Sequence, residues 1–211
     1  MSDAPATHAT VSTADGSEPL DSLYAAPPPW DIGRPQPALL DLAEAGTLRG
    51  RVLDVGCGTG EHALMAAALG LDATGADLAA GALAVARRKA AERGLTARFL
   101  RHDVLDLAAL GESFDTVLDS LVFHGFHGED RDRYVAALRA VTAPGGRCFV
   151  LSFRDEPPNR SGRVHRVTLD DLQAAFADGW RLDAIDPVTV HSSLPAVADG
   201  IRGWRTSLTR L

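Results

Sequence analysis

Arg51 to Val55 is a short, mostly apolar run, and it leads directly into Gly56-Cys57-Gly58-Thr59-Gly60. An Ala/Leu-rich stretch follows from Glu61. The order predicts a buried strand, a glycine-rich turn and a helix. Glycines at alternate positions let the backbone turn sharply and approach a ligand with no Cβ in the way. The helix start behind them offers free N–H groups and a partial positive charge, which suits a carboxylate or phosphate. The spacing is G-x-G-x-G. It is neither the dinucleotide fingerprint G-x-G-x-x-G nor the phosphate loop G-x-x-x-x-G-K-[ST].

The 211 residues fit a single α/β domain with decorations, and 45% hydrophobic residues are enough for a full core. A net charge of −7 argues against nucleic acid as a partner, because phosphate recognition needs a basic surface. No apolar run approaches the ~20 residues that would span a bilayer. The N-terminus has no basic segment followed by an apolar one, so no secretory signal is expected. Cys57 and Cys148 are far apart in sequence and read as reduced thiols in a cytoplasmic protein.

Met1 to about Ser22 is rich in Ala, Thr, Ser, Asp and Gly without apolar period, and reads as a disordered tail. A single domain is expected over 23–211. Pro27-Pro28-Pro29 predicts a stiff extended arm leading to Trp30, with a short helix over Ala38 to Ala45. From Arg51 onward, strands and helices alternate. Strands are predicted at Arg51–Val55, Ala73–Asp77, Ala97–Asp103, Thr116–Ser120, Arg147–Ser152, Arg181–Val190 and Arg202–Arg210. Helices are predicted at Glu61–Leu69, Gly81–Arg93, Asp130–Val141 and Leu169–Ala177, and Pro144-Gly145-Gly146 marks a turn before the fifth strand. This is the signature of a mainly parallel sheet. The last two strands are joined only by His191 to Gly200, so they must pair antiparallel. The glycine spacing, with Asp54 just before it, resembles motif I of the class I S-adenosylmethionine (SAM)-dependent methyltransferases. Their sheet also ends in an antiparallel hairpin, unlike that of nicotinamide dehydrogenases.

Ligands of such sheets lie beyond the C-terminal strand ends. The second strand ends in Asp77, placed to accept both ribose hydroxyls of a nucleoside; the alternative is a cap on the next helix. Leu78 follows and would lie against adenine. The third ends in Asp103-Val104, where the carboxylate would accept the adenine amino group and the Val104 N–H would meet a ring nitrogen; the alternative is a loop cap. The fourth ends in Asp119-Ser120, facing the methionine end of the cofactor, where an ammonium needs acceptors. Asp54, Gly56, Cys57, Gly58 and Gly60 complete the candidate cofactor set.

Three further segments narrow the resemblance: Pro28 to Pro37, Asp119 to His124, and Trp180 with Gly203-Trp204. Together they resemble the heterocyclic toxin methyltransferases, relatives of the thiopurine, thiol and halide methyltransferases. The resemblance runs from about Pro27 to the C-terminus, with Val122 to Gly128 departing from it. It implies a Rossmann-like seven-stranded sheet, SAM as methyl donor and a small aromatic or heteroaromatic acceptor. It also implies an arm folded over the cofactor, with Trp30 and Gln36 in contact with it. Trp30 is an apolar plate that would shield the sulfonium or stack on the acceptor, or simply anchor the arm.

Methyl transfer to a phenol, thiol or hydroxy-heterocycle asks mainly for positioning and exclusion of water, with a base where the nucleophile is protonated. His124 is the first candidate base and His127 the second; both are alternatively loop histidines. A metal is not expected, because a third ligand at sensible spacing is missing. Asp155 to Arg163 is a candidate lid. The competing readings are a thiol or halide S-methyltransferase, a nicotinamide oxidoreductase and a non-catalytic SAM-binding protein.

Overall fold

The computed structural model describes residues 24, 26–154 and 165–211. The tail expected over Met1 to Ser22 and the lid expected over Asp155 to Arg163 therefore lie outside the described residues. The order of elements is α1 (Pro37–Glu44), β1 (Arg51–Val55), α2 (Glu61–Ala68), β2 (Asp72–Asp77), α3 (Ala80–Glu92), β3 (Arg98–Arg101), β4 (Phe114–Ser120), α4 (Gly128–Val141), β5 (Thr142–Phe153), α5 (Leu169–Ala175), β6 (Trp180–Val190) and β7 (Ile201–Arg210). The strands form one seven-stranded sheet in the order β3-β2-β1-β4-β5-β7-β6. The first five run parallel, and β7 lies antiparallel between β5 and β6. This is the expected Rossmann-like methyltransferase sheet with its C-terminal hairpin.

The chain reverses direction across the sheet between β1 and β4, which is where such folds open a crevice. Helices cover both faces because the central strands are apolar on both sides: Val52, Leu53, Val55, Val117 and Leu118 are all fully buried. One face packs Phe114, Phe123, Tyr134, Leu138, Phe176 and Trp180 into the largest cluster. The other packs Leu39, Leu42, Met65 and Phe149 beneath α1 and α2. Among the described residues, no helix is long and apolar enough to cross a membrane.

Two boundaries differ from expectation for local reasons. β3 stops at Arg101, because the Asp103 carboxylate accepts the Leu105 N–H (2.9 Å) and starts a 3-10 turn over Val104–Leu110. Pro144-Gly145-Gly146 does not precede β5 but lies inside it; the strand absorbs these residues as a register shift opposite Phe114 and Thr116.

Candidate active site

Every glycine of the loop has a positive φ: 61° at Gly56, 51° at Gly58 and 85° at Gly60. A Cβ at Gly56 would stand 2.5 Å from Val122 Cγ2, and one at Gly60 would stand 2.8 Å from Ala86 Cβ and from the Phe99 ring. The space beside these glycines is thus taken up by the protein itself, and all of the loop but Gly56 is buried. Asp77 reaches across to it. Its Oδ2 accepts the Gly58 N–H and its Oδ1 accepts the Ala79 N–H, both at 2.8 Å. The helix-capping alternative for Asp77 is therefore present in part, through the turn that opens α3. The Cys57 N–H donates to Ala76 O (3.0 Å), and the Cys57 side chain is buried against β2, so this residue offers the site its backbone.

Asp54 is almost fully buried beneath the loop. Its Oδ2 accepts the Ala63 N–H (3.1 Å) in the first turn of α2, while its Oδ1 has no partner. Burial pushes its pKa up to about 8, against the pull of that N–H and helped by Asp77 and Asp119. The His102 N–H donates to Asp77 O (3.0 Å), which holds the segment carrying Asp103 against the end of β2. Leu78 is half-buried at the same rim, and the Val104 side chain enters the core, leaving its backbone to the rim.

Beyond β4 the chain makes a tight turn with Leu121 at φ 70°, the one non-glycine with positive φ among the described residues. His124, in the short 3-10 turn Phe123–Gly125, is 4% exposed and stacks on Phe153 with ring centroids 4.7 Å apart. Its Nδ1 has no partner. Burial, reinforced by His165, drops its pKa to about 3, so the ring is neutral at ordinary pH. His127 is exposed and meets the His165 ring edge-on at 4.9 Å. The Asp119 carboxylate turns away from the loop: it accepts Val122 N–H (2.8 Å), Phe123 N–H (3.0 Å) and Tyr134 Oη–H (2.8 Å). Ser120 stays half-exposed at the strand end.

The N-terminal arm closes over this region at several points. Asp31 accepts the Thr59 hydroxyl (2.7 Å), and Lys89 donates to Thr59 Oγ1 (2.7 Å) and pairs with Glu61 (2.8 Å). Arg93 holds Glu61 with two further bonds. Burial pushes Glu61 up, but the two cations overcome it and hold the carboxyl below its usual range. Trp30 is 42% exposed and meets Tyr24 edge-on, and the Tyr24 hydroxyl lies 2.9 Å from where a Cβ on Gly58 would stand. Pro29 O accepts the Ser193 N–H (2.9 Å). The Gln36 amide, expected at the cofactor, is bonded to β6's end instead: it donates to His191 O and accepts the His191 N–H, both at 2.9 Å. Whatever Gln36 contributes to the cofactor passes through the arm. Tyr24, Lys89 and Tyr134 were not legible as site residues. The only hint was that the chain's single lysine faces a conspicuous acid-rich surrounding once folded.

The arrangement fits a nucleoside cofactor carrying an amino-acid tail. The loop turns on glycines with positive φ, Asp77 ends β2 and Asp103 follows β3 by two residues, and a buried Asp54 oxygen lacks a partner. These features define an α/β enzyme that holds its cofactor above the strand ends at the point of reversal. Residues 52–146 match the family described as "Methyltransferase domain". The chain is 37% identical over 179 residues to the 2-heptyl-1-hydroxyquinolin-4(1H)-one methyltransferase of Mycobacteroides abscessus, covering 83% of this chain and 78% of that protein. A structure solved for the conversion of a disulfide bond into a thioacetal group during echinomycin biosynthesis is 37% identical, with TM-score 0.80 over 90% of this chain and 91% of the other. The Burkholderia thailandensis 1,6-didemethyltoxoflavin-N1-methyltransferase, solved with its substrate and S-adenosylhomocysteine (SAH), shares the fold at TM-score 0.66 and 23% identity, over 82% and 76% of the two chains. The chain belongs to the class I SAM-dependent methyltransferases. It is an enzyme of that kind, and SAM is its cofactor.

Proposed function

We propose that the chain methylates O, N or S of a small heteroaromatic molecule, such as a natural product, toxin or xenobiotic. The observation that carries the cofactor half is the glycine loop bonded to Asp77, with Asp103 just past the adjoining strand end. In this reading Asp77 receives the ribose hydroxyls, and Asp103 with the Val104 N–H receives adenine against Leu78. Gly56 to Gly60, Asp54 and Ser120 surround the amino-acid tail. When bound, the cofactor supplies an activated methyl group on a sulfonium. Trp30 and Tyr24 exclude water above it.

The acceptor half rests on His124 and Phe153. A flat ring seats against the Phe153–His124 stack, and the unpaired Nδ1 of the neutral imidazole accepts a hydrogen bond from an acidic hydroxyl or ring N–H, orienting it toward the methyl donor. His127 and His165 line the way in. The likeness to the hydroxyquinolone methyltransferase supports this acceptor class. A sulfur acceptor is the second reading, favoured by the likeness to the disulfide-to-thioacetal structure. The two free, buried cysteines and the charge of −7 support a cytoplasmic enzyme acting on a free small molecule rather than on nucleic acid.

Calorimetry with SAM and SAH tests the first half, and labelled SAM with a panel of hydroxyquinolines, phenazines and thiols tests the second. Binding of both cofactor forms and labelling of a hydroxyquinoline are expected. Absence of affinity for either form overturns the site assignment. Labelling of thiols alone replaces the first acceptor reading with the second.

A further inference from the structure

Asp119 ends β4 beside the cofactor loop, pairing in register with Val55, yet its carboxylate serves another purpose. It is fully buried, and its oxygens take the Val122 and Phe123 N–H groups and the Tyr134 hydroxyl. These three donors define the turn that carries His124. Leu121 is held at φ 70° at its start, a conformation that is strained in a non-glycine and persists only where surrounding bonds hold it. The far side of the turn is also fixed: Phe123 stacks on Phe176, and the His165 N–H donates to His124 O (3.1 Å). Val122 fills the space a Cβ on Gly56 would need, so the turn touches the cofactor loop directly.

We propose that Asp119 and Tyr134 form a positioning pair that fixes the Val122–Gly125 turn and so sets His124 for the acceptor. The pair acts on the acceptor step and does not bind the amino-acid end of SAM. The carboxylate has no spare face for an ammonium: its donors come from the turn and from α4, on the side of the sheet that packs the largest core cluster. Tyr134 is fully buried in that cluster, so its hydroxyl has Asp119 as its anchor and cannot swing to solvent. The inference rests on the reading of the β4 turn as the acceptor site.

The test compares Asp119→Asn, Tyr134→Phe, His124→Gln and the double variant Asp119→Asn/His124→Gln. SAH affinity is read by calorimetry, and kcat/KM for the best acceptor is read with labelled SAM. Asn keeps the size of Asp but gives the turn an amide that donates as well as accepts. With Asp119→Asn, acceptor kcat/KM is expected to fall on the order of 10- to 100-fold, as for misplaced reacting groups. SAH affinity is expected to hold. The double variant is expected to lose no more than the worse single one, because both act through one element. Tyr134→Phe keeps the carboxylate and both turn bonds; it should show a smaller fall of the same kind, and it carries the comparison if Asp119→Asn does not fold.

A matching fall in SAH affinity overturns the proposal and gives Asp119 to the cofactor. Unchanged turnover, or losses that add in the double variant, overturns it as well. His124→Gln with full activity removes the imidazole from the reaction. In that case an impaired Asp119→Asn with intact SAH affinity still upholds the turn, and an unimpaired one sinks both readings.

Discussion

Gly60 stands at the start of α2 with φ 85°, and a side chain there would meet Ala86 and Phe99 at 2.8 Å. Gly60→Ala is therefore strained twice, by its backbone angle and by its neighbours, and is expected to lose about 1–3 kcal/mol of stability. A urea unfolding midpoint measures this, and an unchanged midpoint would show that Phe99 moves aside freely. Asp77 bridges two backbone donors 2.8 Å away on each oxygen, one in the cofactor loop and one in its own turn. Asp77→Ala leaves both N–H groups without that acceptor, at a cost of about 1–3 kcal/mol for buried groups. It also removes the proposed ribose acceptor, so SAH affinity by calorimetry should fall at least tenfold, roughly the worth of one charge-assisted hydrogen bond. Affinity equal to wild type would leave Asp77 with its structural bonds alone.

The arm is held by contacts that no short-range pattern announces. Lys89 on α3 reaches Thr59 and Glu61, and through Thr59 it steadies Asp31 of the arm. Lys89→Met keeps the length of the side chain but removes these bonds. The arm near Trp30 should then be cut faster in limited proteolysis followed by mass spectrometry, while Arg93 still pairs with Glu61 and holds α3 in place. Cleavage at the wild-type rate would mean that the Thr59–Asp31 bond, with Pro29 and Gln36 bonded to the far hairpin, suffices to hold the arm. These same contacts mark the limit of what the sequence reveals. The strand-turn-helix at Asp54 to Glu61 and the hairpin were legible, because glycine spacing, periodicity and loop length are local properties. The end of β2 at Asp77 was legible; Asp103 was expected to end β3, which instead stops at Arg101 because Asp103 caps the turn that follows. What their carboxylates bond to was only partly so, since Gly58 lies on another strand's turn. Gln36 and Lys89 find their partners across the fold, Asp119 turns to the N–H groups of the turn just after it and to Tyr134 on α4, and Pro144-Gly145-Gly146 is drawn into β5 by pairing with β4, where tertiary packing overrides the local turn signal.

At the scale of the whole molecule, four buried groups set the response to pH. Burial holds Asp54 up to about 8 and Asp119 up to about 7, so the folded chain keeps protons that the unfolded chain sheds near pH 4. Stability from these two falls as pH rises from about 4 to 8. Burial also lowers His62 to about 4 and His124 to about 3, so below pH 6.5 the unfolded chain gains protons that the folded one refuses. Stability from these two falls as pH drops below 6.5. The pairs oppose one another on the acid side; from neutrality to pH 8 the carboxyls lead, each by up to about 1.4 kcal/mol per unit, and at higher pH the Cys57 and Cys148 thiols, pushed up by burial, add to the decline. The cofactor-free protein is expected to show a higher Tm at pH 6 than at pH 8, and Asp54→Asn should flatten that decline. A Tm that climbs from pH 6 to 8 would contradict it. The placement of β7 between β5 and β6 bears on how such a chain comes into being. During synthesis β6 emerges before the strand that joins it to its neighbours, so the nascent sheet waits with a gap until Ile201–Arg210 has left the ribosome. The sheet is therefore completed only once β7 is available, and a nascent chain halted near residue 200 should remain open to proteases and to chaperones.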